Sequence, residues 1–280
     1  MIKLIAIDLD GTLLNAQKEV SQANRQALAY AKSKGVKVVL CTGRPYFAMK
    51  HFLADLGLVD PEDYIVTFNG GMVQKAQDGQ VLVSNTLGTS DVLAWYQVTQ
   101  DLDLPINVID ADRLYEPTTY PAGYPSLYLE NVTNVPSVVQ DYRTFDPDHA
   151  FNKFVIVTTQ EHLDAQIPKL DPAFKDQYAV FKSRSFFLEV MKKGVSKGDT
   201  LAKLGELLDI SPQEMMTMGD QENDLSMIEL AGLGVAMGNA TDQVKEAAQY
   251  VSLTNEEDGV AHAIHKFIVQ TKSQLRLRKG

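Results

Sequence analysis

The fold is decided by the opening stretch Met1-Ile2-Lys3-Leu4-Ile5-Ala6-Ile7-Asp8-Leu9-Asp10-Gly11-Thr12. Its apolar run, residues 2–9, shows no alternation of polar and apolar residues, which indicates a strand covered on both faces, as in a parallel sheet. Residues 21–34 then have helical spacing, Gly35 ends that helix, and residues 36–40 form a second apolar run. Strand, helix and strand in this order predict a βαβ unit.

The same alternation returns in the C-terminal third of the chain. The patterns there predict helices over Lys197–Leu208 and residues 224–231, 241–248 and 258–270, and strands over residues 215–218, 234–237 and 250–253. A further helix is expected over residues 45–56, because Pro45 suits a first helical turn and Gly57 a helix end. These elements together predict a doubly wound, Rossmann-like α/β core with a parallel sheet.

The middle of the chain has a different composition. Residues 86–189 contain 15 of the 23 aromatic residues, with predicted strands at 107–109, 126–129, 154–157 and 186–188 and helices near 91–100 and 161–169. We interpret this segment as an α+β domain inserted into the core. The predicted core therefore consists of residues 1–85 and 190–280, and the inserted domain of residues 86–189.

Composition and charge exclude several classes of protein. The chain has 36 acidic and 26 basic residues, a net charge of −10, whereas nucleic-acid-binding proteins usually have a basic surplus. No apolar run approaches the length of a membrane span. The one cysteine, Cys41, cannot form an internal disulfide, which favours a reducing, cytoplasmic location. We therefore expect neither a nucleic-acid nor a membrane partner, and a homodimer stays open.

The charge is unevenly distributed along the chain. Residues 86–189 carry 15 acidic and seven basic residues, so most of the net negative charge belongs to the inserted domain. Such a field disfavours long polyanions and leaves small anionic substrates to be held by local charges. The four basic residues within 272–279 are expected to form a frayed end.

Acidic residues follow two of the predicted core strands. Asp8 and Asp10 close the first strand, and Asp220, Asn223 and Asp224 follow the strand at 215–218. Either cluster alone is also consistent with an ordinary turn or with an acidic start of a helix. Two such clusters at strand ends of one sheet, however, favour a Mg²⁺ site, because Mg²⁺ prefers a few hard oxygen ligands and shares a phosphate oxygen.

Two further features would suit a phosphate. Thr42, Gly43 and Arg44 form a turn between a strand and a helix, whose free backbone N–H groups can hold an anion. Lys197 opens a predicted helix and offers a fixed cation. Thr42 as a simple helix cap and Lys197 as a solvated lysine are the alternative interpretations.

Together these residues resemble the four motifs of the haloacid dehalogenase (HAD) superfamily, in order and spacing: Asp8-Leu9-Asp10-Gly11-Thr12, Thr42-Gly43-Arg44, Lys197, and Gly219-Asp220-Gln221-Glu222-Asn223-Asp224. The inserted domain resembles the α/β cap of the Cof-type group, subclass IIB. Within that group, residues 38–46 and Phe68-Asn69-Gly70 are most similar to the YidA-type sugar phosphatases.

The resemblance implies a mechanism. Asp8 would be the nucleophile that forms an aspartyl-phosphate, and Asp10 would act as general acid and then as general base. Mg²⁺ would be held by Asp8, the Asp10 backbone carbonyl and Asp220, with Asp224 as a lesser ligand or a support of the site.

The remaining motif residues would hold the phosphoryl group. Thr42, the Gly43 amide and Lys197 would contact it directly, Arg44 would bind substrate, and Asn223 would orient the phosphate or Lys197. Further candidates for substrate selection are Tyr46, Asn69, Gly70 and, in the cap, Tyr128.

The expected function is a Mg²⁺-dependent phosphatase, a phosphoric monoester hydrolase acting on small phosphorylated metabolites such as sugar phosphates. Two alternatives stay open: a sugar phosphomutase of the same fold, and a non-catalytic module that senses phosphate or nucleotides.

Overall fold

The protein is described by a computed structural model that covers residues 1–132 and 135–269. Its chain forms two compact units, one of Met1–Val83 with Ser196–Gly280 and one of Ser84–Val195. The second unit begins two residues before the predicted insertion and ends six residues after it, because the strand Phe187–Lys192 continues beyond the expected boundary at residue 189. The expected helix end at Gln270 and the frayed end at 272–279 lie outside the described residues.

The first unit contains an eight-stranded sheet. In spatial order its strands are Tyr250–Val251, Leu233–Ala236, Met215–Gly219, Leu4–Ile7, Lys37–Cys41, Tyr64–Thr67, Met72–Lys75 and Val81–Ser84. The first six are parallel, and Met72–Lys75 runs antiparallel to Tyr64–Thr67. The first strand of the chain lies in the middle of the sheet, so the strand order reverses there. This topology confirms the doubly wound fold, and the reversal point is where such sheets bind ligands.

Helices connect these strands. The α-helices of the first unit are Gln22–Ser33, Tyr46–Asp55, Lys197–Leu208, Leu225–Leu230, Asp242–Ala247 and Gly259–Ile264; a π-helical turn spans His265–Val269, and 3₁₀ turns span Phe68–Gly70, Pro212–Glu214, Glu222–Asp224 and Asn255–Glu257. Among the described residues of the whole chain, no helix has the length and apolar character needed to cross a bilayer.

The central strands of the core sheet are buried on both faces. Ile5 and Ile7 belong to one hydrophobic cluster, whereas Leu4 and Ala6 of the same strand belong to another on the opposite face. Lys37–Cys41 divides its side chains in the same way. Because side chains on both faces of these strands are buried, their sequences are nearly continuous apolar runs.

The second unit has an α+β structure. Its six-stranded sheet has the order Tyr178–Arg184, Phe187–Lys192, Lys153–Val157, Asn107–Ile109, Leu114–Pro117 and Ser137–Gln140, and a separate pair joins Leu87–Gly88 to Ala150–Phe151. Its helices are Thr89–Asp101, Tyr128–Asn131, Gln160–Gln166 and Pro172–Gln177, with 3₁₀ turns at Tyr142–Thr144 and Ile167–Lys169. Neighbouring strands of the larger sheet are antiparallel except the last pair.

One predicted strand of this unit is wrong. Residues 126–129 were expected to be extended, but the chain forms the short helix Tyr128–Asn131. Ser126 Oγ accepts a hydrogen bond from the Tyr128 backbone N–H at 3.2 Å, and this local bond closes a turn in place of a strand.

Candidate active site

The predicted site residues meet at the carboxyl ends of three neighbouring strands of the first unit. Asp8 follows Leu4–Ile7, Thr42 follows Lys37–Cys41, and Asp220 follows Met215–Gly219. Parallel pairing of these strands brings their ends to one edge of the sheet, so residues distant in sequence lie close together.

Lys197 is the centre of the site. It is the first residue of the helix Lys197–Leu208 and is 0% exposed. Its Nζ donates to Asp8 Oδ1 at 2.5 Å and to Asp224 Oδ1 at 2.6 Å. Burial alone would lower the pKa of Lys197, but the negative charges of Asp224 and Asp8 raise it above its ordinary value, which favours the charged form of the side chain.

Asp224 organises the loop that carries Asp220. Its Oδ2 accepts the backbone N–H groups of Asp220 at 2.9 Å and Gln221 at 3.1 Å, while its Oδ1 is engaged by Lys197. Asp224 therefore links Lys197 to the acidic loop. Asn223, which was expected to orient the phosphate or Lys197, donates to Asn69 instead.

Asp220 is held in turn by the opening motif. Thr12 Oγ1 donates to Asp220 Oδ1 at 2.9 Å, and Gln221 Nε2 donates to Asp220 Oδ2 at 3.2 Å. Gly11 has a φ of +88°, and a Cβ there would lie 2.4 Å from Asp220 Oδ2. Only glycine satisfies both the left-handed backbone and this close approach.

The carboxylate of Asp10 has different partners from that of Asp8. Arg44 binds it with two hydrogen bonds, Nε to Oδ2 at 2.8 Å and Nη2 to Oδ1 at 2.7 Å, and Lys18 Nζ donates to Oδ1 at 2.9 Å. Burial alone would raise the pKa of Asp10, but the hydrogen bonds and charges of Arg44 and Lys18 together lower it. Arg44, expected to bind substrate, thus contacts a motif residue in this structure.

The turn after Lys37–Cys41 is closed by local hydrogen bonds. Thr42 Oγ1 accepts from the Arg44 backbone N–H at 3.1 Å, and the Thr42 carbonyl accepts from the Asn69 backbone N–H at 2.9 Å. Asn223 Nδ2 donates to Asn69 Oδ1 at 3.1 Å. Asn69 therefore connects the turn to the acidic loop.

The carboxylates can hold a divalent cation. Asp8, Asp220 and Asp224 are buried, and each offers an oxygen that lies within 4.8 Å of those of the other two. Burial raises the pKa of Asp8, and burial together with the charge of Asp224 raises that of Asp220. When all three are ionised, their charges and the positive charge of Lys197 leave the cluster with a net charge of about −2. A divalent ion that prefers oxygen ligands would balance this charge.

Two other candidates for substrate contact have structural partners. The Tyr46 hydroxyl donates to the Ala76 carbonyl at 3.1 Å, so its polar end is engaged within the core. Tyr128 belongs to the second unit, where it is buried with its ring 5.5 Å from that of Phe187.

Two residues of the site, Thr12 and Lys18, were not predicted from the sequence. Thr12 lies in the opening motif and could have been found there, whereas nothing around Lys18 signals its contact.

Comparison with known proteins gives the family. The model of the haloacid dehalogenase-like hydrolase family matches residues 5–264. YxeH of Bacillus subtilis (strain 168), which is named as a candidate phosphatase, is 38% identical over 96% of this chain and 99% of its own length. YcsE of the same organism, a 5-amino-6-(5-phospho-D-ribitylamino)uracil phosphatase, is 34% identical over 96% of both chains.

A solved structure gives the same result. A haloacid dehalogenase-like hydrolase from Bacteroides thetaiotaomicron is 32% identical, with a TM-score of 0.82 over 96% of this chain and 100% of its own. The chain belongs to the haloacid dehalogenase-like hydrolases, as its motifs indicate. The phosphatase names of its relatives agree with the predicted enzyme class, a phosphoric monoester hydrolase.

Proposed function

We propose that the protein is a Mg²⁺-dependent phosphatase that hydrolyses small phosphorylated metabolites through an aspartyl-phosphate on Asp8. The observation that carries the proposal is the buried cluster in which Lys197 contacts Asp8 and Asp224 while Asp220 lies within reach of both carboxylates. The lysine cation suits a phosphoryl group, and the carboxylates, whose charge it does not fully balance, suit a divalent ion. Catalysis of phosphoryl transfer consists mostly of holding these groups in position and stabilising their charge.

In the first step, an Asp8 carboxylate oxygen forms a bond to phosphorus as the bond to the ester oxygen breaks. Lys197 holds Asp8 and neutralises negative charge on the transferring group. Thr42 and the Gly43 amide bind the phosphoryl oxygens, and Asp10 donates a proton to the leaving alkoxide. In the second step, Asp10 takes a proton from water, which attacks phosphorus and releases phosphate and free Asp8.

The Arg44 contact has a consequence for this cycle. Arg44 and Lys18 favour ionised Asp10, the base that the second step needs. The acid needed in the first step is a protonated carboxyl, and we propose that Arg44 leaves Asp10 for the substrate when the ester binds. This exchange reconciles the expected substrate role of Arg44 with its observed contact.

Mg²⁺ would be held by Asp8, the backbone carbonyl of Asp10 and Asp220, with Asp224 supporting them. When bound, it would neutralise charge on the nucleophile and on the phosphoryl oxygens. EDTA should therefore abolish turnover and added Mg²⁺ should restore it, whereas turnover that persists in EDTA would contradict the metal site.

Asp8→Asn tests the nucleophile. We expect this variant to lose turnover of p-nitrophenyl phosphate, because an amide cannot form the acyl phosphate. Asp55→Asn is a suitable control in the same unit, since its side chain is 61% exposed. Near-normal turnover by Asp8→Asn would refute the assignment, and loss of turnover in both variants would show damage unrelated to the nucleophile.

The substrate class is proposed as sugar phosphates. The 34% identity with YcsE makes the phosphorylated ribitylaminouracil the second candidate. A panel of sugar phosphates, that compound, flavin mononucleotide, pyridoxal phosphate and nucleotides, compared by kcat/KM, decides between them.

The two alternatives can be tested separately. Incubation with a hexose 1-phosphate should release inorganic phosphate, whereas formation of the 6-phosphate would identify a phosphomutase. A non-catalytic sensing module would bind phosphate without turning over any ester of the panel.

A further inference from the structure

The segment Phe68-Asn69-Gly70, outside the four motifs, has an unusual backbone. Its three consecutive residues have positive φ angles of 52°, 53° and 101°. Glycine adopts this region freely and asparagine tolerates it, but a bulky residue such as phenylalanine rarely does. Such strain persists only where surrounding contacts impose it, and it is concentrated at functional sites.

Backbone contacts at both ends impose this conformation. The Asn69 N–H donates to the Thr42 carbonyl at 2.9 Å. The Gly70 carbonyl accepts from Thr200 Oγ1 at 2.6 Å, and a Cβ on Gly70 would lie 2.2 Å from the Ser196 carbonyl oxygen. The segment thus joins the phosphate-binding turn to the first turn of the helix that begins at Lys197.

The Asn69 side chain fills the space between two proposed phosphate-binding residues. It is 7% exposed, and its Oδ1 accepts from Asn223 Nδ2 at 3.1 Å. A Cβ on Gly43 would lie 3.0 Å from both Asn69 Nδ2 and Oδ1, so the amide lies directly against that glycine. One side chain therefore contacts the turn after the second strand and the loop that carries Asp220.

We propose that Asn69 is a positioning residue for the phosphoryl group: its side chain sets the Gly43 amide and the Asn223 side chain around the bound phosphate. The left-handed backbone directs the Asn69 side chain into this space, which explains why a strained conformation is retained. The proposal rests on the proposed phosphatase function, and it concerns alignment of the phosphate, whereas the chemistry belongs to Asp8.

Two variants separate the side chain from the backbone. Asn69→Gly removes the amide but keeps a residue that adopts positive φ readily, whereas Asn69→Ala removes the amide and adds backbone strain. We expect both to weaken inhibition by inorganic phosphate and to lower kcat/KM for p-nitrophenyl phosphate by at least about tenfold. This is the order of one hydrogen bond to a charged group, here the bond that the Gly43 amide or Asn223 would lose to the phosphate. Only Asn69→Ala should also lower the melting temperature markedly.

A third variant and a double variant test the route of the effect. Asn69→Asp keeps the shape and the acceptor for Asn223 but adds a negative charge near the phosphate, so it should weaken phosphate binding more than Asn69→Gly does. If Asn69 acts through Asn223, adding Asn69→Gly to Asn223→Ala should lower activity by less than it does in the wild-type protein.

The proposal is overturned if Asn69→Gly keeps the wild-type inhibition constant of phosphate and the wild-type kcat/KM. It is also overturned if the variant loses phosphate inhibition and activity only to the extent that its lower melting temperature explains. Calorimetric titration with inorganic phosphate and Mg²⁺ distinguishes this failure from failure of the function. If the wild-type protein turned over no phosphate ester, the phosphatase proposal would fail, while unequal phosphate affinities of wild type and Asn69→Gly would still support the role of Asn69.

Discussion

Replacing Lys197 with methionine tests how much of the stability of the first unit depends on charge balance within the site. Lys197 is completely buried, and its Nζ contacts Asp8 at 2.5 Å and Asp224 at 2.6 Å. Methionine retains the unbranched apolar stem and removes the charge, so the variant leaves two facing carboxylates without their cation. The experiment is done in EDTA so that no divalent ion replaces the lost charge.

The stability lost in Lys197→Met is set by the unpaired charge and by the cost of neutralising it. Removing one partner of a buried ion pair costs about 3–5 kcal/mol. The cost is also limited by protonation of one carboxyl: a group with an ordinary pKa of 3.8 takes up a proton at pH 7 for about 4 kcal/mol. We therefore expect the free energy of unfolding to fall by about 3–4 kcal/mol at pH 7.

The loss should depend on pH in a definite direction. Burial raises the pKa of Asp8 in the folded state and the charge of Lys197 opposes this rise, so without Lys197 the pKa of Asp8 rises further. The folded variant then binds more protons than its unfolded state above pH 3.8. The variant therefore gains stability relative to wild type as the pH falls, by up to about 1.4 kcal/mol per pH unit.

Urea unfolding at pH 7 and pH 5.5 measures the difference in unfolding free energy between variant and wild type. Unfolding is followed by far-ultraviolet circular dichroism, because the only tryptophan, Trp95, lies in the second unit and does not report on the first. Lys203→Met, on the same helix but exposed, is the control and should change stability by less than about 0.5 kcal/mol. A loss below about 1 kcal/mol for Lys197→Met, or one that does not change with pH, would refute the reasoning.

Three other substitutions or treatments have definite expected outcomes. Gly11→Ala places a methyl group 2.4 Å from Asp220 Oδ2, so kcat/KM should fall at least about tenfold. Gly35→Ala is the control, because Gly35 also has a positive φ but has open space around it. It should cost only about 1–2 kcal/mol of stability and retain activity. Burial raises the pKa of the Cys41 thiol to about 12, so the native protein should resist iodoacetamide at pH 8, and rapid alkylation detected by mass spectrometry would contradict this. Lys153→Met leaves Glu189 buried without its ion pair at 2.9 Å and should lower the unfolding free energy by about 3 kcal/mol, as followed by tryptophan fluorescence. Adding Glu189→Leu should recover part of that loss, and equal losses would argue against the charge explanation.

Core elements were predicted well where local signals are strong. The helix Lys197–Leu208 has the predicted bounds, because Ser196 caps its start by accepting the Asp199 N–H at 3.1 Å. The strand Met215–Gly219 was predicted from its apolar run, which is nearly continuous because the strand is buried on both faces. In the second unit, the edge strand Ser137–Gln140 was not predicted. Its short, mostly exposed sequence carries no periodic signal, and the strand depends on pairing with Leu114–Pro117.

The sequence by itself determined which residues meet. Asp8, Thr42 and Asp220 each follow a strand of one parallel sheet, and strands that pair in parallel bring their ends to one edge. That inference needs only the local pattern of each strand and the rule for ligand sites in such sheets. It identified the fold, the family motifs and the acidic character of the site.

Only the tertiary structure decided which partner each side chain takes. The sequence does not show that Lys197 contacts Asp224 as well as Asp8, that Arg44 binds Asp10, or that Asn69 lies against Gly43. These contacts depend on loop backbones, including the left-handed conformation at residues 68–70, and on distances below 3.5 Å between residues far apart in the chain. Packing of several elements at once sets such distances, so no local pattern encodes them.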